Sequence, residues 1–165
     1  MPINHTKPAR VPRPAEITVR EMIRTMGLLE RIMQTYFARF GISGAQWGVL
    51  RNLHRSEQEG LGGLRLTDLS ERLLVRPPSV TGVVDRLERA GLVSRDGSPT
   101  DLRAKRVALT VSGRELVERV LAVHADQIEK VLGGLNEEEQ AEFERLLGRL
   151  NRHLEGLATR GSAVG

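Results

Sequence analysis

The sequence predicts a mainly α fold with a small β wing, a winged helix-turn-helix flanked by N- and C-terminal helices. Three observations lead there. Apolar residues recur at helical spacing in six stretches, with three short strand-like runs between them. These stretches follow the order helix, helix, strand, helix, helix, strand, strand, helix, helix. And "LLVRPPSVTGVVDRLERAGLVSRDG", residues 73–97, opens a helix with two prolines, carries a glycine one turn in, and separates valines from Ser, Thr and Arg.

Residues 1–14 hold four prolines with Lys7, Arg10 and Arg13 and lack apolar periodicity, which predicts a mobile basic arm. Val19, Met22, Ile23, Met26, Leu29, Met33 and Phe37 then mark a first helix, placed within 15–41 and stopped by Gly41. Ser43 and Gln46 form a capping box for a second helix bearing Trp47, Leu50 and Leu53 on one face. Residues 54–63 read as a loop and 64–66 as a short strand, with Thr67 capping a short third helix.

The fourth helix runs from Pro77 to Ala90, with Gly91 as its stop. "LVSR" (92–95) and "RVAL" (106–109) read as strands joined by the turn-rich 96–105. Thr110 caps a long fifth helix, and Asn136 with Glu139 caps a sixth that carries Phe143, Leu146, Leu147, Leu150, Leu154 and Leu157. The expected domains are therefore a winged helix-turn-helix over 42–110, a helical N-terminal segment over 15–41, C-terminal helices over 111–159 and a disordered tail over 160–165. The first, fifth and sixth helices carry more apolar surface than a small domain needs, so they are expected to dimerise.

Composition narrows the function. No apolar run approaches the ~20 residues of a membrane span, and no signal-peptide pattern opens the chain. Cysteine is absent, which removes disulfides and thiol chemistry and fits a cytoplasmic location. The net charge of +4 is uneven: residues 1–110 carry 18 basic and 11 acidic side chains, and residues 111–165 carry 7 and 10. A basic segment joined to an acidic, leucine-rich one suggests a polyanion-binding part and a separate assembly part.

At about 100° per residue, Val80, Val83, Val84 and Leu87 share one face of the fourth helix. Pro78, Gly82, Asp85 and Arg89 form the opposite stripe, flanked by Ser79, Thr81 and Arg86. Proline is tolerated in a first turn, but an interior glycine costs about 1 kcal/mol against alanine. A small, hydroxylated face with a glycine and an arginine suits entry into a DNA major groove, where Arg86 could pair with guanine. A plain solvated helix with an incidental glycine has the same pattern. The wing adds weight, because Arg103, Lys105 and Arg106 fall at or near a hairpin tip that could reach a flanking minor groove or its phosphates.

Other chemistries find less support. The four histidines show no His-x₃-His spacing and there is no cysteine cluster, so no metal site is expected. No phosphate loop or nucleophile elbow is present, so neither an enzyme nor a bound cofactor is expected. A winged helix used only for protein contacts would not cluster cations on its wing.

Residues 66–110 resemble the MarR (multiple-antibiotic-resistance regulator) family: "LTDLSERL", "PPSVTGVVDRLERAGLVSR" and "DLRAKRVALT" occur in order and at the family's spacing. The resemblance implies a homodimeric repressor that binds double-stranded DNA at a palindromic operator, with the Pro77–Ala90 helix in the major groove. Pro78, Ser79, Thr81, Gly82 and Arg86 are then the candidate readers, and Thr67 and Arg76 the candidate contacts to the DNA backbone. Asp101 and Arg103 match the Asp-x-Arg of the family's wing, in which the arginine reaches the minor groove and the aspartate helps hold the tip. Lys105 and Arg106 complete that set. The chain departs from the family at Leu102, where Arg is frequent, and at Arg76, where Ser or Thr is. The resemblance also implies a small aromatic or amphipathic effector, with Tyr36, Trp47 and Leu50 at the expected junction. From the residues alone, those three read first as ordinary core.

Overall fold

The computed structural model describes residues 12–98 and 101–162. The elements are α1 (Pro14–Ala38), α2 (Gly44–Gln58), β1 (Leu64–Arg65), α3 (Leu66–Leu73), α4 (Pro77–Arg89), β2 (Val93–Ser98), β3 (Asp101–Leu109), α5 (Val111–Leu132) and α6 (Glu137–Ser162). The fold is mostly helical with one small antiparallel sheet, in the order the sequence predicts. Two compact units divide within α5, the first ending at Val120 and the second beginning at Leu121.

In the first unit, Val49, Leu50, Leu53, Leu69, Val80, Val84, Leu87, Val107 and Val117 form the fully buried centre. They bring α2, α3, α4, β3 and the start of α5 onto one core. Transfer of such side chains from water stabilises a fold by roughly 1.5–3 kcal/mol each. The sheet has β3 in the middle. Leu64 pairs with Val107 and Arg65 with Arg106 on one side; Val93 pairs with Leu109 and Arg95 with Val107 on the other.

Local signals act as expected at several ends. Ser43 Oγ accepts from the Gln46 N–H at 3.2 Å while Gln46 Oε1 accepts from the Ser43 N–H at 2.8 Å. Gly41 and Gly91 take the left-handed conformation that ends a helix. Thr110 Oγ1 accepts from the Gly113 N–H at 3.0 Å. A side chain at Gly113 would run into the Leu92 carbonyl, so the start of α5 lies against the end of the α4–β2 turn only because this residue has no Cβ.

The structure departs from the sequence reading at five places. Helix α1 starts at Pro14, inside the segment read as a mobile arm, because proline is preorganised for the first helical position; residues 1–11 lie outside the described set. Helix α2 continues through residues 54–58, read as loop: His54 to Gln58 are tolerant of helix, Ser56 Oγ donates back to the Leu53 carbonyl at 2.8 Å, and left-handed Gly60 makes the stop. Thr67 does not cap α3. Arg65 occupies the N-cap, and the Asp68 carboxylate accepts its N–H at 3.0 Å. The wing strands are longer than read, taking in 96–98 and 101–105, because cross-strand pairing with β3 extends beyond the local turn propensity. Helix α6 runs to Ser162, through part of the tail expected to be disordered; residues 163–165 lie outside the described set.

The turn between α3 and α4 holds the one non-glycine residue with positive φ among the described residues, Leu74, at φ 54° and ψ 36°. That conformation costs an L-residue roughly 1–2 kcal/mol. It is held by backbone bonds from the Leu74 N–H to the Glu71 carbonyl at 3.2 Å and from the Val75 N–H to the Ser70 carbonyl at 3.1 Å.

The second unit contains α6 and the end of α5. Asn136 Oδ1 accepts from the Glu139 N–H at 3.0 Å, and the Glu139 carboxylate accepts from the Asn136 N–H at 2.9 Å. Phe143, Leu146, Leu154 and Leu157 on α6 are 42–49% exposed.

Candidate nucleic-acid interface

Helix α4 owes its orientation to its valine stripe. Val80, Val83, Val84 and Leu87 are buried, which turns Pro77, Pro78, Ser79, Arg86 and Arg89 outward. Thr81, Gly82 and Asp85 are half-buried on the flank of that face. The structure thus brings Pro78, Ser79, Thr81, Gly82 and Arg86 together on one surface, with exposed Arg76 at its start.

The first turn of α4 is unusual in what it offers. Pro77 and Pro78 have no N–H, and the Ser79 N–H already donates to the Arg76 carbonyl at 3.0 Å. Arg76 makes no side-chain cap. Thr81 Oγ1 donates to the Pro77 carbonyl at 3.1 Å, a bond that does not use its acceptor lone pairs. Polar contact at this end therefore falls to the Ser79 and Thr81 hydroxyls and to arginine side chains, with no backbone donor in the first three positions.

Gly82 has helical backbone and no internal reason to be glycine. Among the described residues, the one neighbour within 4 Å of a Cβ built there is Arg86 Nη1, at 3.8 Å, the far end of a flexible side chain. The missing methyl therefore opens space on the outside of the protein, beside the Arg86 guanidinium.

Arg95 is a residue that sequence reasoning missed. From β2 its guanidinium pairs with Asp85 and donates to Glu88 Oε2 at 2.9 Å. This ties the base of the wing to the outward flank of α4 and neutralises two carboxylates next to the candidate surface. The signal was present as two acidic residues one helical turn apart, followed by an arginine on the next strand.

The wing is a hairpin whose last pair is Ser98 with Asp101. Asp101, Arg103 and Lys105 lie on β3, and their side chains lie outside the described set. Arg106 is placed differently from the expected tip. It pairs with Arg65 and Asp96 at the base of the wing, and its Nη1 donates to the carbonyls of Gly63 at 2.8 Å and Leu61 at 3.0 Å. Thr67 is exposed in the first turn of α3.

Tyr36, Trp47 and Leu50 are 4%, 6% and 0% exposed. The Tyr36 hydroxyl donates to the Val120 carbonyl at 3.3 Å, and its ring packs edge-on against Phe37 and Phe40 with centroids 5.1 and 5.4 Å away. Phe37 in turn lies 5.5 Å from Trp47. These residues fill the core. Among the described residues, no group of three His, Cys, Asp or Glu side chains is placed to hold a metal ion.

The sequence model of the MarR family matches residues 40–104. The transcriptional repressor YetL of Bacillus subtilis is 31% identical over 76% of this chain and 74% of its own length. Among solved structures, Bordetella bronchiseptica BpsR, whose DNA binding is regulated by 6-hydroxynicotinic acid, superimposes with a TM-score of 0.74 at 26% identity, covering 82% of this chain and 99% of BpsR. The Mycobacterium tuberculosis MarR family protein Rv2887, solved in complex with DNA, superimposes with a TM-score of 0.63 at 26% identity, covering 86% of this chain and 98% of its own.

Proposed function

The chain belongs to the MarR family of DNA-binding transcriptional regulators, and from that premise we propose that it acts in the cytoplasm as a homodimeric repressor of a palindromic operator, released by a small aromatic or amphipathic effector. The observation that carries the DNA-reading part is Gly82. A helix-interior glycine with free space around it costs stability and returns nothing to the fold, whereas it lets a second surface approach α4 closely. Arg86 beside it would make the bidentate contact to guanine O6 and N7, flanked by the Ser79 and Thr81 hydroxyls. Arg76 and Thr67 take phosphates, and Arg103 and Lys105 on the wing take the flanking minor groove.

Dimerisation is supported by apolar surface that a lone chain leaves in water. On α1, Ile17, Val19, Ile23, Met26, Leu29 and Ile32 are 40–66% exposed. A two-fold dimer would set two copies of α4 about one DNA turn apart, which is why the operator is proposed to be palindromic. Repression follows the relative YetL, and an aromatic acid as effector follows BpsR. Tyr36, Trp47 and Leu50 are left out of the proposed effector site, because their side chains are already spent on the core. Among the described residues, no helix is long and apolar enough to cross a membrane.

The test is selection of bound duplexes from a random library, followed by titration of the recovered sequence at several salt concentrations. The expected result is an inverted repeat bound far more tightly than random DNA, with affinity falling as salt rises. Arg86→Ala should lose about 1–3 kcal/mol on that sequence and relax one base position per half-site. Equal loss on random DNA would make Arg86 a phosphate contact, and no enrichment would overturn the reading.

A further inference from the structure

Leu74 is the most exposed large apolar residue among those described, at 93%, and Val75 beside it is 44% exposed. They precede Arg76, the N-cap of α4, so they stand at the entrance of the surface that carries Pro78, Ser79 and Gly82. Single exposed leucines are common and need no explanation. This one differs because its backbone sits at φ 54°, where glycine or asparagine is favoured and leucine is strained. The turn itself needs only the backbone bonds from Leu74 to Glu71 and from Val75 to Ser70, and glycine would make both. The side chain is therefore held in water, in an unfavourable conformation, with no contribution to the core.

The chemistry beside it points to one kind of partner. The first turn of α4 has two prolines and a Ser79 N–H already used, so the entrance presents carbon rather than backbone donors. In a major groove the apolar group on offer is the thymine C5-methyl. We infer that Leu74, supported by Val75, reads a thymine methyl at one position of each half-site, which makes it a specificity-determining residue outside the recognition helix. This rests on the proposed DNA-binding function.

The experiment uses the full-length protein and the duplex recovered by selection. Each thymine is replaced in turn by deoxyuridine, which removes the methyl and leaves every hydrogen-bonding group in place. At one thymine per half-site the unaltered protein should bind about fourfold more weakly, as expected for loss of one buried methyl-sized contact. Leu74→Gly should weaken binding to the thymine duplex by at least as much and be indifferent to the deoxyuridine at that position. Leu74→Asn should behave in the same way, and both variants should melt no lower than the unaltered protein, because their backbones accept the left-handed turn. The inference is overturned if no deoxyuridine weakens binding, or if one does so equally in the unaltered and Leu74→Gly proteins. If selection recovers no sequence at all, the DNA-binding reading falls first and this inference with it.

Discussion

Arg95, on the first strand of the wing, holds Asp85 on the flank of α4 in an ion pair, and its other terminal nitrogen donates to Glu88 at 2.9 Å. Left alone, both carboxylates would face a polyanion. Arg95→Ala should therefore weaken DNA binding by roughly fivefold through like-charge repulsion, while the loss of stability stays within about 1 kcal/mol because the pair is partly exposed. Adding Asp85→Asn to Arg95→Ala should restore part of the affinity. A double-mutant cycle on the selected duplex checks this, and strict additivity of the two changes would refute the neutralising role.

Gly82→Ala should move stability and binding in opposite directions. Among the described residues its new Cβ meets only Arg86 Nη1, at 3.8 Å, so helix propensity should raise unfolding free energy by up to about 1 kcal/mol. The same methyl would stand between α4 and the groove floor, and crowding a close contact costs about 1–3 kcal/mol. Denaturant melts and DNA titrations on one preparation measure both signs. A variant that is more stable and binds DNA unchanged would remove the argument for close approach at this residue.

The two wing arginines should separate by salt dependence. Arg103→Ala should lower the magnitude of the log K against log[salt] slope by roughly 2 per dimer, one phosphate-region contact from each subunit. Arg106→Ala should act chiefly on stability, by about 1 kcal/mol, because its Nη1 is committed to the Gly63 and Leu61 carbonyls. Equal slope changes in the two variants would mean that Arg106 also serves the DNA.

Leu154 and Leu157 on α6 are 48% and 49% exposed, so replacing both with glutamate costs the single chain little. If this stripe is covered by a second copy, the double variant should sediment as a monomer with helical content intact and should lose high-affinity binding to the full palindrome. An unchanged dimer would place the interface elsewhere.

The features readable from local sequence have their partners within a few residues along the chain. The Ser43–Gln46 and Asn136–Glu139 caps, the glycine stops at Gly41 and Gly91, and the inward stripe of Val80, Val83, Val84 and Leu87 all depend on partners within about one helical turn. The outward face of α4 was legible for the same reason, since burying the valines turns Ser79 and Arg86 outward, with Gly82 half-buried on their flank. Tertiary structure decided what depends on register and packing between distant segments. Arg106 was a cation near a wing on the sequence, and became a tie to the Gly63 carbonyl, 43 residues away, because β1 pairs with β3 at Arg65 and Arg106. Arg95 became the partner of Asp85 and Glu88 only when β2 lay along α4. Trp47 and Leu50 read first as core and second as pocket, and packing against Phe37 and its neighbours buried them. A local pattern specifies which face of an element turns inward, but the partner of a long charged side chain is set by which element that face comes to meet.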